Sequence, residues 1–212
     1  MLLRCAVACG KEFSPMGMNK PRYEWSKKKD SRKGATTQRL GAKRLSFCSF
    51  LQQYNYGWQA EKLDDTPFYR KHFQSFADSK SVDIVSFKPD GEDLWLLEVK
   101  DYRINPRTKN LDLFKEVAIK VRDTLALLYL AKSKPEISIH RFASEVVGKT
   151  TIRVVLHMEQ PANPSRLYPL IVERGNVRIK LQQTLRVVDP RALFCEMSAI
   201  PPDCHWQVTP NP

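Results

Sequence analysis

The chain has 212 residues, of which 42% are hydrophobic, 10% aromatic and 27% charged. These are the proportions of an ordinary globular protein, and they exclude a wholly disordered or low-complexity chain. The longest uninterrupted apolar run is the seven residues from Leu125 to Ala131, far short of the roughly 20 that a membrane-spanning helix needs. We therefore expect a soluble, cytoplasmic protein that makes no membrane contact.

Positive charge is concentrated near the N-terminus. The net charge is +12, and between Lys20 and Arg44 ten basic residues stand against two acidic ones, a local net charge of +8. This arm contains the run Lys27, Lys28 and Lys29, and such a run attracts the phosphates of nucleic acids in a salt-sensitive, sequence-independent way. A solvated tail that aids solubility is the alternative use of the same charges.

The residue pattern divides the chain into three parts. Residues 1–36 mix Lys, Gly and Pro without a sustained apolar period, which predicts a basic and partly irregular arm. Residues 37–200 contain the regular patterns and form the expected folded domain, and residues 201–212 are a proline-rich tail. The five cysteines are scattered and odd in number, so no disulfide framework is predicted.

Alternating apolar residues mark two strands in the middle of the domain. Residues 81–88 and 93–100 alternate, and the Pro-Asp-Gly-Glu turn between them predicts a β-hairpin. A two- or four-residue loop places Asp83 opposite Glu98, with Lys100 on the same face. A three-residue loop, which this turn also suits, would place the two acids on opposite faces.

Helical and strand periodicity predicts the remaining elements. A helix begins at Thr37 and ends at Gly57, and a long amphipathic helix over 111–132 follows the hairpin with Asn110 as its N-cap. Further along come a strand over 151–158, a helix over 176–187 and a last strand over 192–197. The order predicts an α/β fold with a central mixed sheet flanked by helices.

The facing residues of the hairpin are candidates for catalysis. Two carboxylates directly opposite each other destabilise a hairpin, so Asp83 and Glu98 predict a compensating cation. Mg²⁺, or Mn²⁺ in its place, would bind such carboxylate oxygens, and Lys100 would stabilise an ionised attacking water. These are the components of metal-assisted phosphodiester hydrolysis.

An Asp on one strand, Glu-x-Lys on the next and an amphipathic helix after them resemble the PD-(D/E)xK nuclease superfamily. The resemblance covers roughly residues 37–158. It implies a restriction-endonuclease-like core and Mg²⁺-dependent cleavage of DNA, less often of RNA. It also implies that Asp83, Glu98 and Lys100 are the catalytic set, with the two acids as metal ligands.

Many members of this superfamily carry a further acid on the helix before the hairpin. The helix predicted over residues 37–56 contains no acid. Glu61, just beyond it, is the best candidate for this catalytic position, and Asp64 or Asp65 could take its place.

Basic residues beyond the hairpin are candidates for phosphate contact. They are Arg103, Arg107 and Lys109 in the following loop, and Lys115 and Lys120 on the next helix. For the helix, contact with phosphate and a solvated face are equally compatible with the spacing of its basic residues. Lys120 lies nearer the buried stripe of its helix and is the better candidate for the site.

Two functions are consistent with these patterns. The leading hypothesis is a metal-dependent DNA endonuclease, with RNA as a further possible substrate. No DNA-reading motif is evident in the sequence, so targeting would come from a partner protein. The sequence is also compatible with a homo-oligomer. The alternative is a catalytically inactive subunit of the same fold that binds nucleic acid or a partner protein.

Overall fold

The computed structural model describes residues 57–103, 105–202, 204 and 206. In this part of the chain the β-strands and α-helices are β1 (Gln59–Glu61), β2 (Ile84–Phe87), β3 (Asp93–Asp101), α1 (Leu113–Lys132), α2 (His140–Val146), β4 (Thr151–Glu159), α3 (Arg174–Thr184) and β5 (Leu193–Cys195). A 3₁₀-helix (Leu63–Asp65) and a π-helix (Tyr69–Phe73) lie between β1 and β2. The predicted basic arm with its lysine run, the helix predicted to begin at Thr37 and most of the proline-rich tail lie outside the described residues.

The strands form one mixed sheet in the order β1-β2-β3-β4-β5. Strands β1, β2 and β3 pair antiparallel, whereas β4 and β5 continue the sheet in parallel with β3. Each parallel connection contains helices, because a parallel crossover must return the chain to the starting edge of the sheet. The predicted α/β class with a central mixed sheet is confirmed.

Alternation along the strands divides the sheet into two faces. Leu94 and Leu96 of β3 join the larger core beneath the helices, whereas Trp95 and Leu97 pack on the other face. The larger core also contains buried residues of all three helices, among them Val117, Ala143 and Val177. Even-numbered positions of β3, which include Glu98 and Lys100, therefore lie on the face that the helices cover.

The hairpin register decides between the two loops that the sequence leaves open. Ile84 pairs with Leu97 across β2 and β3. A two- or four-residue loop produces this pairing, whereas a three-residue loop would shift it by one residue. The three-residue alternative is therefore wrong. The same register places Asp83, one residue before β2, opposite Glu98.

The long helix begins two residues later than predicted, at Leu113. Its N-cap is Asp112 and not Asn110, because the Asp112 carboxylate accepts hydrogen bonds from the second and third helical N–H groups, each at 3.0 Å. Neither α1 nor any other helix in the described part of the chain is long and apolar enough to cross a membrane.

Other boundaries also differ from the predictions. The helix predicted over 176–187 spans Arg174–Thr184, because Leu185 leaves the helical backbone conformation (φ −95°, ψ 8°) and Val187 is 95% exposed. The strands predicted over 81–88, 93–100, 151–158 and 192–197 are Ile84–Phe87, Asp93–Asp101, Thr151–Glu159 and Leu193–Cys195. Strand β1 and helix α2, three and seven residues long, are too short for periodicity to predict.

Helix α1 also fixes the segment that leads into β2. The side chains of Asp123 and Thr124 accept hydrogen bonds from the backbone N–H groups of Lys80 and Val82, at 3.0 and 2.9 Å. Thr124 and Val82 are both fully buried. Because these bonds immediately precede Asp83, the helix sets the position of that carboxylate.

Replacing Thr124 with Val should lower the free energy of unfolding by about 1–3 kcal/mol, because the buried Val82 N–H loses its acceptor. Urea denaturation of the two proteins measures this difference. Thr124→Ser, which keeps the hydroxyl, is the matched control and should retain more of the stability. A Val variant as stable as wild type would show that this hydrogen bond does not hold the segment.

Candidate active site

The carboxylates of Asp83 and Glu98 lie close together, the first just before the start of β2 and the second in the second half of β3. The side chain of Glu98 is fully buried, whereas that of Asp83 is 19% exposed. Asp83 Oδ2 accepts a hydrogen bond from the N–H of Val99 at 2.7 Å. This bond fastens the Asp83 carboxylate to the backbone of β3, next to Glu98.

Two lysines neutralise these acids. Lys100, on the same face of β3, forms an ion pair with Glu98. Lys120, from α1, lies between the two carboxylates, with its Nζ 2.7 Å from Glu98 Oε1 and 3.5 Å from Asp83 Oδ1. The compensating positive charge that the sequence predicts is therefore supplied here by side chains of the chain itself.

Burial controls the protonation of the site. It raises the pKa of Glu98, the charge of Asp83 raises it further, and the two lysines only partly oppose this shift. Burial acts to lower the pKa of Lys100, but attraction by Glu98 outweighs it and the pKa is raised overall. Lys100 therefore stays protonated at neutral pH, and acts as a positive charge and hydrogen-bond donor instead of a general base.

A further acid, Glu116 in the first turn of α1, forms ion pairs with basic residues of the loop after the hairpin. Arg107 Nη1 donates to Glu116 Oε2 at 2.7 Å, Lys109 donates to Oε1, and Lys100 Nζ lies 3.6 Å from Oε1. Burial acts to raise the pKa of Glu116, but the hydrogen bonds from Lys109 and Arg107 outweigh it and lower the pKa to about 2. Glu116 thus ties the loop and Lys100 to α1.

The basic residues predicted to contact phosphate differ in whether they form ion pairs with acidic side chains of the chain. Arg103 forms an ion pair with Asp101 at 2.8 Å, and the other two loop cations are bound to Glu116. Lys120 belongs to the carboxylate cluster. Lys115 is exposed and forms no ion pair with another described side chain.

The candidates for a further acid lie near Asp83 or at the surface. Glu61 pairs with Val85 in the sheet, which places it on the helix-covered face, and burial raises its pKa. Burial also raises the pKa of Asp64, and the charge of Asp83 contributes to that shift, so Asp64 lies within electrostatic reach of the site. Asp65 is more exposed than either and forms an ion pair with Lys62 at 3.1 Å.

The two converging carboxylates suit a hard divalent cation. Within the described residues, no group of three or more His, Cys, Asp or Glu side chains is arranged to hold a metal ion. Mg²⁺, however, commonly binds proteins through one or two carboxylates and takes water and substrate phosphate as its other ligands. Lys120 Nζ contacts both Asp83 and Glu98, so a single cation is able to interact with both. The donor set therefore fits Mg²⁺ with these two acids as ligands.

A comparison with curated proteins finds a partial similarity. Over 108 residues, which cover 47% of this chain, the sequence is 34% identical to a protein of Neisseria meningitidis serogroup A named cysteine–tRNA ligase. The match covers 15% of that protein, so the chain spans a small part of the relative's length. No protein-family model and no solved structure matches the chain.

Glu116 belongs to the site, although the sequence patterns do not predict it there. A signal for it exists in the helix, because Glu116 and Lys120 are four residues apart and neighbour the buried positions Leu113 and Val117. A charged pair within the buried stripe of a helix needs partners from other elements. The residues that supply those partners, in the loop and on β3, could not be identified from helical spacing alone.

Replacing Glu116 with Gln should destabilise the protein in a pH-dependent way. The folded-state pKa is about 2, against an ordinary value of 4.5. Its stabilising effect is therefore present above about pH 4.5 and is lost as the pH falls towards 2. We expect the variant to be less stable by about 2–3 kcal/mol at pH 7 and to equal wild type near pH 2.

Urea denaturation of both proteins between pH 2 and 7 tests this expectation. Glu136→Gln, at an exposed position, controls for the loss of one surface carboxylate. A stability difference between wild type and Glu116→Gln that does not change with pH would contradict the proposed charge network.

Proposed function

We propose that this chain is a metal-dependent nuclease that hydrolyses phosphodiester bonds of DNA. The observation that carries the proposal is the convergence of a buried Glu98, a backbone-anchored Asp83 and Lys100 in one cluster. Ionisable groups with shifted pKa values in a shared, desolvated setting are typical of functional sites. The arrangement on neighbouring strands supports the resemblance to the PD-(D/E)xK superfamily.

Each residue of the cluster has a role in this proposal. Asp83 and Glu98 hold Mg²⁺ or Mn²⁺. When bound, the ion supplies a Lewis acid that stabilises negative charge developing on the phosphodiester. Lys100, which remains protonated, directs its positive charge towards the attacking water and the phosphate. Glu116 keeps Lys100 in place through their 3.6 Å contact.

One observation favours a second candidate function. Lys120 already neutralises both carboxylates, and the described residues contain no arranged set of three metal-binding side chains. A nuclease fold that has lost its metal would retain such a cluster as a structural ion pair. The chain would then bind nucleic acid or a partner protein without cutting it.

A cleavage assay distinguishes the two candidates. Purified wild type with Mg²⁺ or Mn²⁺ should cut supercoiled plasmid, and EDTA should abolish the reaction. Asp83→Asn and Lys100→Met should each lower the cutting rate at least about 100-fold, because the first removes a metal ligand and the second removes the positive charge that stabilises the transition state. Asp90→Asn is the matched control, since it removes a carboxylate from the exposed turn of the same hairpin.

Single-stranded DNA and RNA serve as further substrates in the same assay. Cutting that survives both site substitutions would overturn the assignment of the active site to this cluster. Salt-sensitive DNA binding without metal-dependent cutting would support the inactive subunit.

Metal binding is measurable without activity, by the shift that Mg²⁺ causes in the thermal unfolding midpoint at pH 8. Wild type should be stabilised by Mg²⁺, because the ion binds the folded state. Asp83→Asn should lose this shift. Lys120→Met should show a larger shift than wild type, because its ammonium group no longer competes for the carboxylates.

Each variant is compared with its own midpoint in EDTA, which separates metal binding from changes in intrinsic stability. Ca²⁺ at the same concentration controls for ionic strength. If Mg²⁺ shifts the midpoint of none of the three proteins, the cluster is a structural ion pair and the metal-binding role of Asp83 and Glu98 is wrong.

A further inference from the structure

Two cysteines meet on the face of the sheet opposite the helices. Cys195, the last residue of β5, is 1% exposed, whereas Cys204 is partly exposed. Both pack in the smaller core, and their thiol groups are in hydrogen-bonding contact. A close approach of the two side chains is the geometric requirement of a disulfide bond.

The segment that carries Cys204 is held in place on both sides of the cysteine. The N–H of Cys204 donates to the carbonyl oxygen of Pro201 at 2.9 Å. Trp206 is 3% exposed and packs edge-on against Trp95, with the ring centroids 6.0 Å apart. These contacts keep the Cys204 thiol against β5, and groups held in contact react far faster than the same groups free in solution.

A histidine lies beside the buried thiol. His157 of β4 pairs with Cys195 across the parallel strands, and its Nδ1 lies 3.4 Å from the sulfur of Cys195. Its Nε2 lies 3.2 Å from Glu159 Oε1. A carboxylate at Nε2 favours the tautomer that carries its proton there, which makes Nδ1 the nitrogen that accepts a proton from the thiol.

The two thiols differ in reactivity. The hydrogen bond with Cys204 and burial both raise the pKa of Cys195, so this residue remains a thiol at neutral pH. Thiol–disulfide exchange begins with attack by a thiolate that the reagent is able to reach. Cys204 is the more exposed of the two and therefore meets a small reagent first, and Cys195 reacts afterwards inside the core.

We propose that Cys195 and Cys204 form a reversible disulfide bond by exchange with a low-molecular-weight disulfide such as oxidised glutathione. The Cys204 thiolate attacks one sulfur of the reagent, whose S–S bond breaks and releases the first small thiolate. Cys195 then passes its proton to His157 and attacks the Cys204 sulfur, and the second small thiolate leaves and takes that proton. In total the two protein thiols lose two electrons and two protons, and the reagent is reduced to two thiols.

This modification site is independent of the proposed nuclease activity. Val99 lies between Glu98 and Lys100 on β3 and pairs with His157. The cysteines and His157 therefore lie on the face opposite Glu98. The bond would join β5 to the C-terminal segment, which no other covalent link connects within the described residues.

The test treats the full chain with oxidised glutathione at pH 8, in EDTA so that no metal ion protects the thiols. Iodoacetamide then blocks the remaining thiols, and trypsin releases both cysteines on one peptide, because no Lys or Arg follows Arg191. Mass spectrometry should find this peptide without alkyl groups and two hydrogen atoms lighter than its reduced form. Treatment with dithiothreitol before iodoacetamide should give the peptide with two alkyl groups.

Substitutions separate the steps. Cys195→Ala should stop at the adduct of glutathione with Cys204, and Cys204→Ala should leave Cys195 unmodified. His157→Gln should slow the second step at least about tenfold without changing the first, because a proton acceptor is lost. Cys48→Ala is the matched control, since it removes a cysteine outside the proposed pair, and it should form the bond as wild type does.

Thermal unfolding shows whether the bond fits the native fold. The oxidised wild type should have a midpoint about 5 °C above that of the reduced protein, because a short covalent ring restricts the unfolded chain. Cys195→Ala after the same treatment should show no such increase. A lower midpoint for the oxidised protein would show that the fold must distort to form the bond, and would overturn the proposal.

Three other results with folded wild type would also overturn it: a peptide with two alkyl groups after oxidation, a lasting glutathione adduct on Cys204, or a bond from either cysteine to Cys5, Cys9 or Cys48. None of these readouts depends on cleavage of DNA. The disulfide and the nuclease activity therefore stand or fall separately.

Discussion

The buried carboxylate of Glu98 is the constraint on which the site depends. Removing a charged group from water costs several kcal/mol unless a partner of opposite charge accompanies it. Glu98 is fully buried, and its partners Lys100 and Lys120 come from β3 and α1. The charge requirement of one side chain therefore also constrains how the helix packs on the sheet.

Backbone contacts hold the other members of the cluster. Asp83 is bound to the N–H of Val99, and the segment before it is bound to Asp123 and Thr124 of α1. A group whose position is set by the backbone needs little rearrangement when a ligand arrives, which is the condition for an effective metal or catalytic site. The hairpin register and the helix thus place both acids by rigid elements instead of flexible loops.

The hairpin and α1 show which features of this architecture the sequence predicts and which it does not. Alternation along β3 predicted that Glu98 and Lys100 share a face, but the turn sequence suits loops of both parities. The burial of apolar partners on the helix-covered face decides between them. At the start of α1 both Asn110 and Asp112 are good N-caps, and the choice follows from Leu111, which is 43% exposed and lies outside the core. The partners of Glu116 could not be predicted, because they depend on the path of a loop that has no periodic pattern.

Lys120 has a different role in each of the two candidate functions, the metal-dependent nuclease and the inactive subunit. Its ammonium group contacts both acids, yet the pKa of Glu98 remains raised by burial and by Asp83. The two lysines therefore stabilise the charged form of Glu98 incompletely. A divalent ion carries twice the charge of an ammonium group and attracts both carboxylates more strongly at similar distances. If the chain is the proposed nuclease, Lys120 would hold the two acids together and would have to give way when the ion binds; in an inactive subunit it would remain their permanent partner.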